Sequence, residues 1–379
     1  MAEDSRIAVV GVSTRTFCGV HDHATLLAGA LEHDGLHCSE HWLQSSASSL
    51  AAAHAEFRSF ADALRRGLER ERPDAILLHY SVFAFSHRGV PLFVAPVLAP
   101  LRHARVPVIA IMHELAFPWG EGGAQGIVWA ASQRAALIAV VRASQAVVVT
   151  ADFRAQWLGS RRWLPARPLA VAPVFSNLPA PTAEPPNTRA TPLLGVFGYA
   201  IDRSSVRLVL DAVRQLSDSG VQLQLRLLGS PGPDSDAAEM WRATARELGV
   251  GEALSFSGTL SPQELSNALA SSDILLYADP TGPASRKGTL AGSLASGRPL
   301  VALEGRRSWS LLLDADAAMV VPRSAGSLAD ALRRLIADPA EREALGDRAR
   351  RFAADTMSVA STAEIVERFI AQPPSAAAR

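Results

Sequence analysis

The chain has 379 residues, which exceeds one ordinary hydrophobic core and predicts two domains. A hydrophobic content of 48%, a charged content of 20% and a formal net charge of zero indicate a soluble globular protein without a global field for nucleic acid or anionic lipid. Two cysteines, Cys18 and Cys38, are too few for a disulfide framework or a zinc cluster.

The amino terminus is acidic and then strand-like, without the basic and long apolar regions of a signal peptide. We therefore expect a cytoplasmic protein. The longest apolar stretch, residues 126–151, is interrupted by Gln133, Arg134 and Arg142, which predicts that no segment spans a membrane.

The first half alternates short apolar runs with amphipathic stretches, which is typical of a parallel sheet with crossover helices. Strands are predicted at residues 6–10, 75–80, 107–112 and 146–150, and helices at 24–31, 51–70 and 90–102. Near-continuous apolar strands indicate a sheet that is covered on both faces.

A proline-rich segment follows, with six prolines in residues 173–192. Proline at this density excludes regular structure, so the segment is interpreted as a linker. The predicted organisation is a first domain at 1–175, a linker at 176–192, a second domain at 193–356, and a helix with a tail at 357–379 that returns to the first domain.

The alternation then restarts, with strands predicted at 193–197, 222–228, 253–256, 274–277, 299–302 and 318–321. Three helical stretches, at 328–337, 339–354 and 360–371, end the chain with no strand between them. The pattern predicts two α/β domains of comparable size. Ligands of open parallel sheets lie beyond the carboxyl ends of the strands, so the cleft between the domains is where a site is expected.

The strongest candidate for chemistry is the segment 281–290 (TGPASRKGTL), which leads from a strand into a helix. Glycines, hydroxyls and two cations at a helix amino terminus favour an anion such as a diphosphate. A solvated basic turn is the alternative. Lys287 is the only lysine beside 36 arginines, which favours a specific role for its compact charge.

A histidine, His113, follows the predicted strand at 107–112 and is a candidate for catalysis, with structural packing as the alternative. The loop after the first strand carries His21, Asp22 and His23, which either line a ligand site or, in the case of Asp22, cap the next helix. Asp22 and His23 alone are too few ligands for a metal. The glycines of this loop are too far apart for a dinucleotide fingerprint.

Several motifs of the second half occur in a fixed order: Phe197-Gly198, 228–232 (LGSPG), 256–258 (FSG) and 295–302 (ASGRPLVA). With Gly19 and His113 in the first half, this order resembles the retaining glycosyltransferases of family 4. That resemblance implies the GT-B fold, with two facing Rossmann-like domains, an interdomain cleft and a carboxyl-terminal crossing helix.

The resemblance also implies a role for individual residues. His113 would contact the sugar or the reacting centre, and Gly19, His21, Asp22 and His23 would lie on the acceptor side. The nucleotide would lie near Gly198 and Gly229, with its base near Thr259 and Leu260. The diphosphate would be held by residues of two loops: Arg203, Ser285, Arg286, Lys287, Gly288 and Thr289.

One departure from the family concerns its two donor-site glutamates, which are separated by seven residues. The alignment places Ala284 and Gly292 at these positions, so both carboxylates are missing. The expected activity is sugar transfer from a nucleoside-diphosphate donor to a small-molecule acceptor, with no metal or other cofactor. A non-catalytic binding subunit and a sugar-nucleotide epimerase or hydrolase remain alternatives. The arginine-rich, lysine-poor composition suggests a bacterial genome of high GC content, with a role in specialised-metabolite or antibiotic biosynthesis.

Overall fold

The computed structural model describes residues 5–14, 18–182 and 189–371. It divides into two compact units: unit 1, Met1–Pro173 with Val359–Arg379, and unit 2, Val174–Ser358. Three predicted features fall partly outside the described residues: the loop after the first strand at 15–17, the proline-rich linker at 183–188, and the carboxyl-terminal tail at 372–379.

Unit 1 is built on a six-stranded sheet in the order β2-β1-β3-β4-β5-β6, in which every neighbouring pair is parallel. The central strands are almost wholly buried, as their apolar sequences predict, whereas β2 is a half-buried edge strand. The strands are β1 Arg6–Ser13, β2 His37–Gln44, β3 Ala75–Tyr80, β4 Val108–Met112, β5 Ala146–Val149 and β6 Leu169–Val171.

Five helices connect these strands: α1 Gly19–His33, α2 Leu50–Glu71, α3 Val94–Ala104, α4 Gly123–Ala143 and α5 Asp152–Gly159. Helix α1 begins five residues before the predicted start. The sequence interpretation of His21, Asp22 and His23 as loop residues is therefore wrong, and so is the alternative of Asp22 as a cap. Cys18 is the capping residue, and its carbonyl accepts a hydrogen bond from the Asp22 amide at 3.0 Å.

Helix α4 is the one described helix that is long and apolar enough to cross a membrane, with a mean hydropathy of 1.3 and 39% of that stretch buried in the protein. Its polar residues are used inside unit 1. The Gln133 side chain accepts from the Phe117 backbone amide through Oε1 at 2.7 Å. It donates to the Gly89 carbonyl through Nε2 at 2.8 Å. A core helix of a soluble protein passes the same length and composition test, so a single helix of this kind is weak evidence for a span.

Unit 2 repeats the architecture, with parallel strands in the order β12-β11-β10-β7-β8-β9. The strands are β7 Leu193–Phe197, β8 Gln224–Leu228, β9 Leu254–Phe256, β10 Ile274–Tyr277, β11 Leu300–Leu303 and β12 Met319–Val321. The helices are α6 Arg203–Asp218, α7 Asp236–Glu247, α8 Pro262–Ala270, α9 Gly288–Ala295, α10 Ser310–Asp314, α11 Ala325–Ala337 and α12 Pro339–Thr356. Two apolar cores cover the faces of the sheet, one containing Trp241 and the other Trp309.

The last described helix, α13 (Val359–Ala371), belongs to unit 1, where it packs on α1. The chain therefore leaves unit 1 at residue 173 and returns to it at residue 359. Thr362, Ala363, Val366 and Phe369 form the buried face of this helix.

The first part of the proline-rich segment is irregular and hydrogen-bonded to unit 2. The Thr182 amide donates to Asn267 Oδ1 at 2.8 Å, and Ser266 Oγ donates to the Pro179 carbonyl at 2.6 Å. These bonds satisfy backbone groups that proline-rich chain cannot pair in a helix or sheet.

Candidate functional site

The predicted nucleotide-binding residues of unit 2 lie past the ends of adjacent strands. Gly198 follows β7, Gly229 follows β8, and Thr259 and Leu260 follow β9. Because these strands are parallel neighbours in the order β10-β7-β8-β9, their carboxyl ends meet at one edge of the sheet. The topology of unit 2 thus brings the predicted nucleotide segments to a common edge, together with the segment 281–290 that follows β10.

Gly198 lies against Thr289, at the start of α9. A methyl group added at Gly198 would come within 2.7 Å of Thr289 Cγ2, and the residue has φ +80°, which side chains other than glycine rarely adopt. The two predicted ligand segments are therefore in direct contact, and only glycine fits at the junction.

The loops after β8 and β9 are also joined. The Gly229 amide donates to Ser257 Oγ at 2.9 Å. The Gly232 amide donates to the buried Tyr199 hydroxyl at 2.7 Å, which attaches the β8 loop to the loop after β7. These bonds fix the backbone on both sides of Gly229.

The amino terminus of α9 has open amide groups. Lys287 is its capping residue and gives no side-chain cap, and the amides of Gly288 and Thr289 donate to no other described residue. Nothing lies within 4 Å of the position that a side chain would take at Gly288. Free amides and the helix dipole favour an anion at such a terminus.

Lys287 is held in place by an acidic residue that the sequence interpretation missed. Its Nζ lies 3.0 Å from Oδ2 of Asp279, which follows β10. Burial of Asp279 opposes its ionisation, but hydrogen bonds from the Thr281 hydroxyl and amide, together with Lys287, outweigh this and lower the pKa of Asp279 below its usual value. Asp279 is therefore ionised at neutral pH, and it orients the lysine.

The other predicted diphosphate residues differ in exposure. Arg203 is exposed at the first position of α6, Arg286 is partly exposed, and neither forms an ion pair with a described residue. Ser285 is only 2% exposed, and its carbonyl accepts from the Val174 amide at 2.8 Å. The two arginines are thus available to a ligand, while Ser285 anchors the segment inside unit 2.

Three further arginines at this edge were not singled out from the sequence. Burial lowers the pKa of Arg307, and the positive charges of Arg306 and Arg286 lower it further. Arg323, after β12, donates to the Asp279 carbonyl at 3.4 Å and to Ser205 Oγ. Each of the three arginines follows the carboxyl end of a strand. That position is the feature by which the sequence could have identified them as site residues.

The two positions that carry glutamates in the resembled family face the interior. Ala284 is 1% exposed. A side chain at Gly292 would meet Leu178 Cδ1 and Phe197 Cε1, both at 3.2 Å from its first carbon. Packing therefore occupies the space into which a carboxylate at residue 292 would project.

In unit 1, His113 follows β4, and its amide donates to the Tyr80 carbonyl at 2.9 Å. Its Nε2 lies 3.2 Å from Nδ1 of His79, a fully buried residue of β3, and its ring centroid lies 5.0 Å from that of His23 on α1. His79 was not identified as a site residue from the sequence. Burial lowers the pKa of His23 to about 4 and holds the pKa values of His79 and His113 well below 6.5, so all three rings are neutral at pH 7.

The remaining first-half candidates lie on α1. His21 stacks on Trp42 with ring centroids 4.4 Å apart, and its Nε2 lies 2.9 Å from Glu40 Oε1. Gly19 begins the helix, with open space where a side chain would be. His21 is thus turned to the edge strand β2, while His23 is turned to His79 and His113.

Solved structures with this architecture cover nearly the whole chain. Sucrose-phosphate synthase from Thermosynechococcus elongatus has a TM-score of 0.68 at 18% identity, covering 96% of this chain and 98% of that one. The Anabaena protein HepE, in complex with UDP and glucose, has a TM-score of 0.65 at 13% identity, with coverages of 95% and 98%. UDP-GlcNAc 2-epimerase from Neisseria meningitidis, bound to UDP-GlcNAc, has a TM-score of 0.58 at 11% identity, with coverages of 96% and 99%.

These similarities and the two six-stranded parallel sheets confirm the predicted two-domain α/β fold of the GT-B type. Residues 191–338, which lie within unit 2, match the family model described as Glycosyl transferases group 1. The domain match and the shared fold support a glycosyltransferase. No curated protein matches the chain in sequence.

Proposed function

We propose that this protein is a retaining glycosyltransferase of family 4 that moves a sugar from a nucleoside-diphosphate donor to an oxygen, nitrogen or sulfur atom of a small-molecule acceptor. The observation that carries the proposal is the amino terminus of α9. One edge of the sheet there brings together the open amides of Gly288 and Thr289 and the cations Arg286 and Lys287. Gly198 lies close to Thr289 at the same edge.

Charge separation explains why such an edge suits sugar transfer. The bond between the anomeric carbon and the phosphate oxygen breaks, and the leaving diphosphate gains negative charge while the sugar becomes cation-like. Positioned donors stabilise this charge, and loss of one such donor costs about 2 to 4 kcal/mol in a site that excludes water. Arg203, Arg286, Lys287 and the α9 amides supply these donors, so the proposed diphosphate site needs no metal ion.

Retention requires the acceptor to attack from the face that the diphosphate leaves. The acceptor proton then passes to the departing phosphate oxygen as the new glycosidic bond forms, so the site needs no separate protein base. His113 would contact the sugar or the reacting centre. Its pKa, well below 6.5, keeps it neutral and suits hydrogen bonding to hydroxyl groups.

The donor site is tested by titrating UDP, GDP, dTDP and ADP into the full chain and into Arg286→Ala and Lys287→Ala. A hydrogen bond to a charged group contributes about 1.5 to 3 kcal/mol, so each variant is expected to bind its preferred nucleotide at least ~10-fold more weakly. Arg286→Ala is the cleaner variant, because Lys287→Ala also leaves Asp279 without its partner.

Arg333→Ala is the matched control, since Arg333 is a partly exposed residue of α11 that pairs with Asp330 alone among the described residues. It should bind nucleotide like the wild type. If no nucleotide binds, or if both site variants bind as tightly as this control, the proposed donor site is wrong.

A non-catalytic binding subunit is the second candidate, favoured by the interior placement of Ala284 and Gly292 where carboxylates would meet a donor. Isolation of a transfer product from a donor and acceptor screen excludes it. Nucleotide binding without consumption of any donor would support it. A donor that is epimerised or hydrolysed without an acceptor would instead indicate the epimerase or hydrolase alternative, whose fold is shared.

A further inference from the structure

Three histidines from separate parts of unit 1 converge at one place. His23 is on α1, His79 on β3 and His113 directly after β4, and one ring nitrogen of each lies within 4.8 Å of one from each of the others. His23 and His79 are 4% and 0% exposed, whereas His113 is partly exposed. Nε2 of His79 is buried and has no hydrogen-bond partner among the described residues.

A buried polar nitrogen without a partner is costly, so its retention calls for a ligand or another compensating group.

The pairing of neighbouring strands explains how the His79 ring fits into unit 1. His79 pairs with Gly11 of β1, and Gly11 pairs with Trp42 of β2. A side chain at Gly11 would come within 2.1 Å of the Trp42 ring, so glycine there leaves room for the indole, whose ring centroid lies 6.1 Å from that of His79.

The ring spacing fits joint coordination of one ion. In a tetrahedral zinc site with metal–nitrogen bonds of about 2.0 to 2.1 Å, the centroids of imidazole ligands lie about 5 Å apart. Here the three centroid distances are 5.0, 5.5 and 5.6 Å.

The protonation state also fits, because a metal binds the neutral imidazole. Burial of His23 and His79 disfavours the charged imidazolium and so favours the neutral ring that a metal binds. One feature opposes a cation: the positive charge of Arg154, which donates to Thr150 Oγ1 at 2.7 Å, also acts on His113. We expect it to moderate the affinity.

We propose that His23, His79 and His113 form a binding site for a transition-metal ion, with Zn²⁺ the ion that the geometry favours. Imidazole nitrogens select Zn²⁺ and its neighbours over Mg²⁺ and Ca²⁺, which prefer oxygen. Three protein ligands leave the fourth coordination position open, as in zinc sites that exchange water for substrate. The partial exposure of His113 provides the path to that position.

The metal site and the diphosphate site share no residue, because all the metal ligands belong to unit 1 and the diphosphate residues belong to unit 2. Failure of nucleotide binding would leave the metal site standing, and failure of metal binding would leave the donor site standing.

The experiment is equilibrium dialysis of the untagged full chain against Zn²⁺ after chelator treatment, with Co²⁺ absorption as a second readout. We expect one equivalent per chain, a dissociation constant near ~1 µM, and the visible spectrum of four-coordinate Co²⁺. His113→Gln and His79→Gln should each weaken Zn²⁺ binding at least ~100-fold, because a ligand is lost rather than a supporting contact.

His103→Gln is the matched control, since His103 is exposed on α3. It should retain one equivalent. Folding of each variant is checked by circular dichroism, and His113→Gln, at a partly exposed position, keeps the test valid if the buried His79 variant does not fold. Less than ~0.2 equivalent bound at ten times the expected dissociation constant, or unchanged binding in His113→Gln, would overturn the proposal and leave a metal-free imidazole cluster.

Discussion

The ion pair between Lys287 and Asp279 shows what sequence interpretation leaves out at the scale of a residue. The composition drew attention to the only lysine, and its position beside α9 agrees with a role toward an anion. Asp279, eight residues earlier, does not resemble a binding motif in the sequence. It was missed because the contact depends on how the loop after β10 folds back on itself, with Thr281 bonded to the same carboxylate.

Removal of the Asp279 charge should change the acid dependence of stability. The pKa of Asp279 is below its usual 3.8 in the folded chain, so the unfolded chain binds a proton at higher pH than the folded chain does. The stabilisation by the Asp279 carboxylate is complete at pH values above its usual pKa. It is lost as the pH falls through the lower pKa that Asp279 has in the folded chain. Asp279→Asn should therefore be less stable than the wild type at pH 6, and the difference should shrink as the pH falls below about 4.

Urea midpoints measured from pH 6 down to pH 3 give this comparison. Asp314→Asn, at an exposed carboxylate on the end of α10, is the control. A difference between wild type and Asp279→Asn that stays constant over this range would show that the carboxylate charge does not stabilise the fold.

At the scale of an element, the junction of β7 with α9 depends on backbone geometry. The predicted strand at 193–197 is confirmed, and Gly198, directly after it, has φ +80°. Pattern and propensity find the strand because β7 is a run of buried apolar residues. They do not show that the glycine touches Thr289, because that contact joins elements ninety residues apart.

Gly198→Ala is expected to weaken both the fold of unit 2 and its proposed nucleotide binding. The left-handed conformation costs an alanine about 1 to 2 kcal/mol, and the contact with Thr289 Cγ2 at 2.7 Å adds to this. Thermal unfolding and nucleotide titration measure the two effects.

Gly220→Ala is the matched control, because Gly220 has φ +82° and open space around it. Gly220→Ala should lose only the stability that the left-handed backbone conformation costs an alanine. It should bind nucleotide like the wild type. Equal stability and equal nucleotide affinity of the two variants would mean that the approach of Gly198 to Thr289 has no energetic consequence.

At the scale of the whole molecule, the last part of unit 1 follows unit 2 in the sequence. Helix α13 packs on α1, so the first structural unit depends on the last described helix. The sequence interpretation placed a helix at 360–371, and the structure has it at Val359–Ala371. Its return to the first domain was an implication of the family resemblance, because an isolated amphipathic helix does not show which surface covers it.

Phe369→Ala should destabilise unit 1, although residue 369 follows unit 2 in sequence. Phe369 is 7% exposed, and truncation of a buried phenylalanine typically costs about 3 to 5 kcal/mol. Hydrogen exchange should become faster in α1 and α13. Phe352→Ala, equally buried on α12, is the control and should loosen unit 2 instead. Faster exchange confined to unit 2 in Phe369→Ala would contradict the assignment of α13 to unit 1.

The sequence by itself determined the class of fold, because buried parallel strands must be apolar along their whole length and the crossover helices must be amphipathic. It therefore predicted ten of the twelve strands within three residues at either end. The edge strand β2 was missed because a half-buried strand with histidines, glutamate and serine carries no such signal. The strand β6 was missed because its three residues are too few to form a pattern.

Tertiary structure alone decided which side chains meet. It brought His79 to His113 and His23, paired Lys287 with Asp279, and placed Arg307 where the charge of Arg286 acts on it. Each of these groupings joins loops or elements through strand order and register, which are set by packing of the whole unit. Local pattern finds the elements because their periodicity is local, whereas a site made by several strand ends exists only after the sheet has formed.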